Sequence, residues 1–174
     1  MTTKNYTSKL SGQIGENLVV AELGRRGIIA TAFAGNVPEI DLLAYKNGKS
    51  TPLQVKALRA GSVSISDARK YLDIDFDGDI QKVLGKRSDV DLELIFIIVK
   101  IGQRLGDDIF YICKQKTIQD LIFRRYSTNM KKHNGRRPRN PDSFHCKIEP
   151  RDLENYRDKW ELIDDVFDNM IIKT

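Results

Sequence analysis

Several things are scarce in this sequence. Cysteine occurs only as Cys113 and Cys146, without a metal-type spacing. The pair is expected as free thiols in a reducing cytoplasm rather than as a disulfide. Histidine occurs only as His133 and His145, again without metal spacing, so neither a Ser-His-Asp nor a Cys-His site has local support. No apolar run approaches the length of a membrane span, and no membrane partner is expected. The opening MTTKNYTSKLSGQ lacks the apolar core of a signal peptide. Asp73, Asp75, Asp77 and Asp79 are spaced like the acids of a calcium loop but lack its terminal Glu, and read as a solvated strand or turn. Acids are outnumbered, 24 Asp and Glu against 29 Lys and Arg, for a formal charge of +5 and a pI near 9.2. That balance favours a polyanionic partner, and where the charge lies matters more than its total.

What is present suffices for one domain with a sizeable core: 174 residues, 40 % of them hydrophobic. Leu10, Ile14, Leu18, Val19, Glu22 and Leu23 recur at helical spacing and predict a helix over Lys9 to Arg26, with Ser11 as N-cap and Gly27 as C-cap. Strands are expected at Ile28 to Phe33, at Val63 to Ile65, at the apolar run Leu92 to Ile101, at Asp108 to Lys114 and at Phe144 to Ile148. Ser66 is expected to cap a short helix over Asp67 to Tyr71. Further helices are expected from Thr117, as N-cap, to Tyr126 and across 150–170. Helices before and after a strand set point to a single α/β domain with a central mixed β-sheet flanked by helices, with its core over 9–114.

The most informative stretch runs from Pro38 to Ala57. It reads as two short strands, Glu39 to Tyr45 and Pro52 to Ala57, joined by a turn containing Asn47-Gly48. Asp41 sits among Ile40, Leu42 and Leu43, where an unpaired carboxylate is costly. Gln54 and Lys56 lie two apart in a strand and share a face. A carboxylate, an amide oxygen and an ammonium at one end of a hairpin can hold a hard divalent cation and a phosphate. Glu39, two residues before Asp41, is either a further acid on that face or an exposed strand-start residue; the second reading is preferred.

The helix GQIGENLVVAELGRRG, a strand, PEIDLLAY and then LQVKA together resemble the core of the PD-(D/E)XK nuclease superfamily, over roughly the first third of the chain. The resemblance implies a restriction-endonuclease-like fold, with Asp41 as the metal-binding aspartate and Lys56 as the motif lysine. It implies that Glu16, on the helix, ligates a further metal or its water. Gln54 stands where the family usually has Asp or Glu, a QxK form in which the amide oxygen replaces a carboxylate. With the Val55 carbonyl, these residues would bind Mg²⁺, or Mn²⁺ in its place, which accept a sparse set of protein oxygens. Each residue has an ordinary explanation alone, Glu16 as a solvated helix residue and Lys56 as a snorkelling one; the joint pattern is more specific than any member.

Between 124 and 141 the chain reads as a basic loop. Arg124, Arg125, Lys131, Lys132, Arg136, Arg137 and Arg139 have no acid among them up to Arg139. Such a segment suits nucleic-acid phosphates. Arg25, Arg26, Arg59, Arg69 and Lys70 are candidates to extend it. The function expected is a metal-dependent endonuclease hydrolysing phosphodiester bonds of DNA, RNA not being excluded, and acting as a homodimer where both strands are cut. The alternative is a catalytically weak or inactive nuclease-like domain that binds nucleic acid or a protein partner. A third reading is a structural protein whose basic loop docks on an acidic partner.

Overall fold

The computed structural model describes residues 3–33, 39–59, 61–104 and 106–168, so Pro38 lies outside the described residues. In chain order the elements are α1 (Thr3–Arg25), β1 (Ile29–Ala32), β2 (Leu42–Lys46), β3 (Lys49–Leu58), β4 (Val63–Ile65), β5 (Leu72–Asp77), β6 (Ile80–Lys86), β7 (Ile95–Lys100), β8 (Ile109–Lys114), α2 (Gln115–Lys132), β9 (Cys146–Ile148) and α3 (Glu161–Asp168). The class is α/β, as expected. The chain divides into two compact units. One is drawn from residues up to Gly61, Leu94–Lys114 and residues from Leu153 onward; the other comprises Ser62–Glu93 and Gln115–Asp152.

The first unit is built on a five-stranded sheet of order β1-β2-β3-β7-β8. Only β3 and β7 are parallel, which makes the sheet mixed. β2 and β3 are joined by a two-residue turn in which Asn47 (φ 53°) and Gly48 (φ 78°) are both left-handed. That geometry matches the twist of the flanking strands and fixes Leu42 opposite Leu53. Leu42, Ala44, Leu53 and Val55 then fall on one face, where they pack with Val19 and Leu23 of α1, Ile95, Ile97 and Val99 of β7, Ile112 of β8, and Trp160, Ile163 and Phe167. Side chains alternate along a strand, so Gln54 and Lys56 project from the other face, and Asp41, one residue before Leu42, follows the same alternation.

α1 begins earlier than its periodicity suggested. Ser11 is therefore not a cap; it is buried within the helix and its hydroxyl accepts a 3.0 Å hydrogen bond from Arg59 Nε. The other end is as expected: Gly27 is left-handed (φ 71°), the Ile28 N–H reaches the Leu23 carbonyl and the Gly27 N–H that of Gly24. The single helix expected across 150–170 is instead two 3-10 turns, Pro150–Asp152 and Glu154–Tyr156, followed by α3, with 169–170 outside the described residues. Continuous helix is interrupted because Arg157 forms an antiparallel bridge with Tyr111 on β8 and Asp158 is left-handed at φ 53°.

The second unit holds the β5–β6 hairpin, the antiparallel β4–β9 pair and α2. β5 takes up the acidic alternation over Asp73 to Asp77, and β6 pairs with it antiparallel. The short turn over Ala68–Lys70 is capped by Asp67, whose carboxylate accepts the Arg69 N–H at 2.9 Å, rather than by Ser66. α2 starts at Gln115, two residues before the expected cap Thr117. It also runs past Tyr126 to Lys132, so the first half of the expected basic loop is helical. The reason is a buried stripe at i, i+4 spacing, Ile118, Ile122, Tyr126 and Met130, which the polar Ser127 and Thr128 conceal in the sequence. The helix stops where Asn134 adopts φ 49° and the Gly135 N–H closes on the Met130 carbonyl at 2.8 Å.

Candidate metal and phosphate site

The site begins with a frayed edge between β2 and β3. Their ladder ends at Leu42 opposite Leu53, and the Asp41 N–H still reaches the Leu53 carbonyl at 2.9 Å. Beyond that point β3 has no β2 main chain beside it. The Asp41 side chain takes over: its Oδ2 accepts the Val55 N–H at 2.8 Å. The same oxygen accepts a hydrogen bond from the Gln54 side-chain amide. Gln54 is buried, at 5 % exposure, and its Nε2 also lies 3.4 Å from the Val55 carbonyl oxygen. It is thus the amide nitrogen, not the oxygen, that faces Asp41 and Val55. The Asp41 carbonyl accepts the Phe33 N–H at 3.2 Å, so β1 also pins this residue.

Glu16 is brought to the same place by the glycine before it. A Cβ on Gly15 would lie 2.6 Å from the Ala57 Cβ, well inside contact distance. Only a glycine lets α1 rest so closely on β3. Half-buried there, Glu16 has its carboxyl pKa pushed above the ordinary range, first by burial and then by the negative charge of Asp41, with the Lys56 ammonium opposing. Lys56 is half-buried and makes no ion pair or hydrogen bond with a described residue. Glu16, Asp41, Gln54, Val55 and Lys56 therefore gather in one place, although Glu16 lies far from the others in sequence. Glu39 does not join them: it is exposed and left-handed at φ 69°, outside β2. Sequence reasoning missed Gly15, whose signal was a glycine inside an otherwise helical pattern.

These donors suit a hard cation. Asp41 and Glu16 offer carboxylate oxygens and Val55 a carbonyl. Gln54 would contribute its oxygen after a half-turn of its amide. Among the described residues no group of three or more His, Cys, Asp or Glu side chains could hold a metal, so a cation here would rest on carboxylates, the amide and main-chain oxygen together.

The basic residues divide into held and unheld. Arg125 is tied to Asp152, its Nε donating at 2.5 Å, and Arg124 pairs with the same carboxylate at 3.5 Å. Arg136 pairs with Asp79 at 2.9 Å. Arg137 donates to the His145 carbonyl at 2.8 Å and lies over the Tyr126 ring. Lys131, Lys132 and Arg139 are exposed and meet no carboxylate among the described residues. Other candidates are engaged elsewhere: Arg25 and Arg26 with Glu22, Arg59 with Ser11, and Arg69 with Asp67. Cys113 and Cys146 are free and buried. No described helix is long and apolar enough to cross a membrane.

No family model matches this chain, and no curated protein matches it. Among solved structures, a bacterial homing endonuclease is similar, with a TM-score of 0.55 and 15 % sequence identity, over 95 % of this chain and 99 % of that one. The likeness shows a nuclease-like fold.

Proposed function

We propose that this protein is a metal-dependent endonuclease of the PD-(D/E)XK type, in its QxK form, that hydrolyses phosphodiester bonds of DNA. One observation carries the reading: Asp41 and Gln54 are hydrogen-bonded where β2 stops covering β3, and the charges of Asp41 and Lys56 act on Glu16 of α1. The nuclease-like fold supports it, and because that likeness spans 95 % of the chain, both units are assigned to one nuclease-like domain.

In this reading Asp41, Gln54 and the Val55 carbonyl hold Mg²⁺, or Mn²⁺ in its place, and Glu16 holds a further ion or its water. A bound divalent ion supplies charge stabilisation on the scissile phosphate and a more acidic water. Lys56 orients the attacking water or stabilises the pentavalent phosphate, and it makes no ion pair or hydrogen bond with a described residue. Glu16, on α1, would orient that water. Arg124, Arg125, Lys131, Lys132, Arg136, Arg137 and Arg139 hold the nucleic-acid backbone. Cutting both strands calls for a homodimer. The free thiols fit a reducing compartment, and we assign the protein to the cytoplasm.

A second reading, a nuclease-like domain that binds without cutting, is favoured by the Gln54 amide nitrogen lying on Asp41, which occupies one carboxylate oxygen with an internal donor. Plasmid cleavage with Mg²⁺ or Mn²⁺ separates the two. The first reading expects metal-dependent nicks that fall by about a hundredfold or more in Asp41→Ala and Lys56→Ala. Binding without products under either metal would favour the second.

A further inference from the structure

The second unit contains a cavity of about 220 Å³ that the nuclease reading does not use. Arg125, Asn129, Arg137, His145 and Lys147 line it, with Tyr126. Its positive groups are held in place, and Arg137 and Lys147 make no ion pair with a described carboxylate. Arg125 is anchored by Asp152, a carboxylate that does not line the cavity. Arg137 is fixed through one terminal nitrogen to the His145 carbonyl at 2.8 Å, and its guanidinium lies 4.7 Å over the Tyr126 ring. That leaves the Arg137 Nε–H, which is buried and meets no hydrogen-bond acceptor among the described residues. A buried donor without an acceptor is costly, and an anion is the natural complement of one on a guanidinium. His145 has one ring nitrogen committed to Ser64 Oγ at 2.8 Å, so its Nδ1 remains for a ligand. Asn129 and Lys147 are exposed at the rim.

We propose that this cavity is a phosphate-binding pocket. Arg137 is its floor, Arg125 and Lys147 supply charge, Asn129 supplies an amide donor and His145 a ring nitrogen. Its ligand is a phosphomonoester or phosphodiester group. Burial first, then the charges of Lys147 and Arg137, push the His145 pKa down, and a bound phosphate would oppose the push of the two cations. The pocket rests on the nucleic-acid-binding part of the reading above and not on its hydrolytic part. It adds Asn129, His145 and Lys147 to the residues expected from charge alone.

The test is a metal-free titration of the full chain with inorganic phosphate at constant ionic strength, followed by NMR at the Arg137 Nε–H and the His145 ring. Saturable shifts at both are expected. Lys147→Gln, at an exposed position, should weaken the apparent affinity by about two- to fivefold. Arg137→Lys should weaken it by about tenfold or more. Absence of saturable shifts, or unchanged affinity in both folded variants, would overturn the pocket. Short oligonucleotides then distinguish the source of the phosphate. Stronger displacement by a 5′-phosphorylated strand assigns the pocket to a strand terminus, and equal displacement by phosphorylated and hydroxyl-ended strands assigns it to the backbone. Displacement by neither contradicts a nucleic-acid ligand. No cleavage is read here, so a failure of this pocket and a failure at Asp41 give separate signatures.

Discussion

The side-chain amide of Gln54 donates to the same Asp41 oxygen that accepts the Val55 N–H, so one carboxylate oxygen closes the end of the β2–β3 ladder. In this arrangement Gln54 serves two states. Without a cation its nitrogen compensates Asp41; with one, its oxygen would face the ion.

That dual role predicts the behaviour of Gln54→Glu. Two carboxylates would then face each other without a donor between them, and a buried hydrogen bond to a charged group would be lost. The variant should be destabilised by about 1.5–3 kcal/mol in EDTA and should recover most of that stability on adding Mn²⁺. Thermal unfolding with and without metal measures both; equal stability in EDTA would show that the amide does not compensate Asp41.

Gly15 predicts a packing defect with a specific remedy. Gly15→Ala gains about 1 kcal/mol of helix propensity, yet its Cβ would meet the Ala57 Cβ at 2.6 Å. Overpacking of this kind costs about 1–3 kcal/mol, so the net change should be a loss. Ala57→Gly in the same chain should restore part of it, with a coupling of about 0.5 kcal/mol or more in a double-mutant cycle by urea unfolding. Strict additivity would show that the two residues do not limit the approach of α1 to β3.

Glu16 sets a pH dependence. Its folded pKa is raised above the ordinary 4.5, so the fold penalises its charged form. The contribution of the neutral carboxyl is fully present below the ordinary value and is lost as pH rises through the folded one. Glu16→Gln keeps a neutral side chain throughout. In EDTA the variant should therefore match the wild type at low pH and become the more stable of the two towards neutrality, read as the difference in Tm across the range. A variant that is less stable at neutral pH would mean that the attraction of Lys56 outweighs burial and Asp41.

The division of the basic residues predicts unequal effects on DNA binding. Lys132→Gln removes an exposed charge without a carboxylate partner, and it should reduce the slope of log affinity against log salt by about 0.9. Arg125→Gln breaks a contact to Asp152 and should also lower the Tm. A salt series in both variants, with melting curves, checks this; an unchanged slope in Lys132→Gln would remove that lysine from the interface.

How much of this was readable in the sequence follows from how local each signal is. The β2–β3 turn was legible because Asn47-Gly48 encodes its own conformation, and β7 because six consecutive positions are apolar or end the run. Asp41, Gln54 and Lys56 stood out as polar residues inside apolar strands. The closure of Asp41 on the Val55 N–H was not legible, since it depends on where a neighbouring strand stops. The second half of α2 is hidden in the sequence because Ser127 and Thr128 mask a buried stripe that continues to Met130. The late start of α3 is not legible, because the apolar spacing of 150–170 says nothing of the bridge between Arg157 and Tyr111.

The most direct test of the central claim is an anomalous-scattering map from crystals of the protein soaked in Mn²⁺. The account predicts a peak within coordination distance of the Asp41 carboxylate and the Val55 carbonyl, with the Gln54 amide turned so that its oxygen faces the ion. A map at saturating Mn²⁺ with no peak there, and with the Gln54 nitrogen still on Asp41, would contradict it.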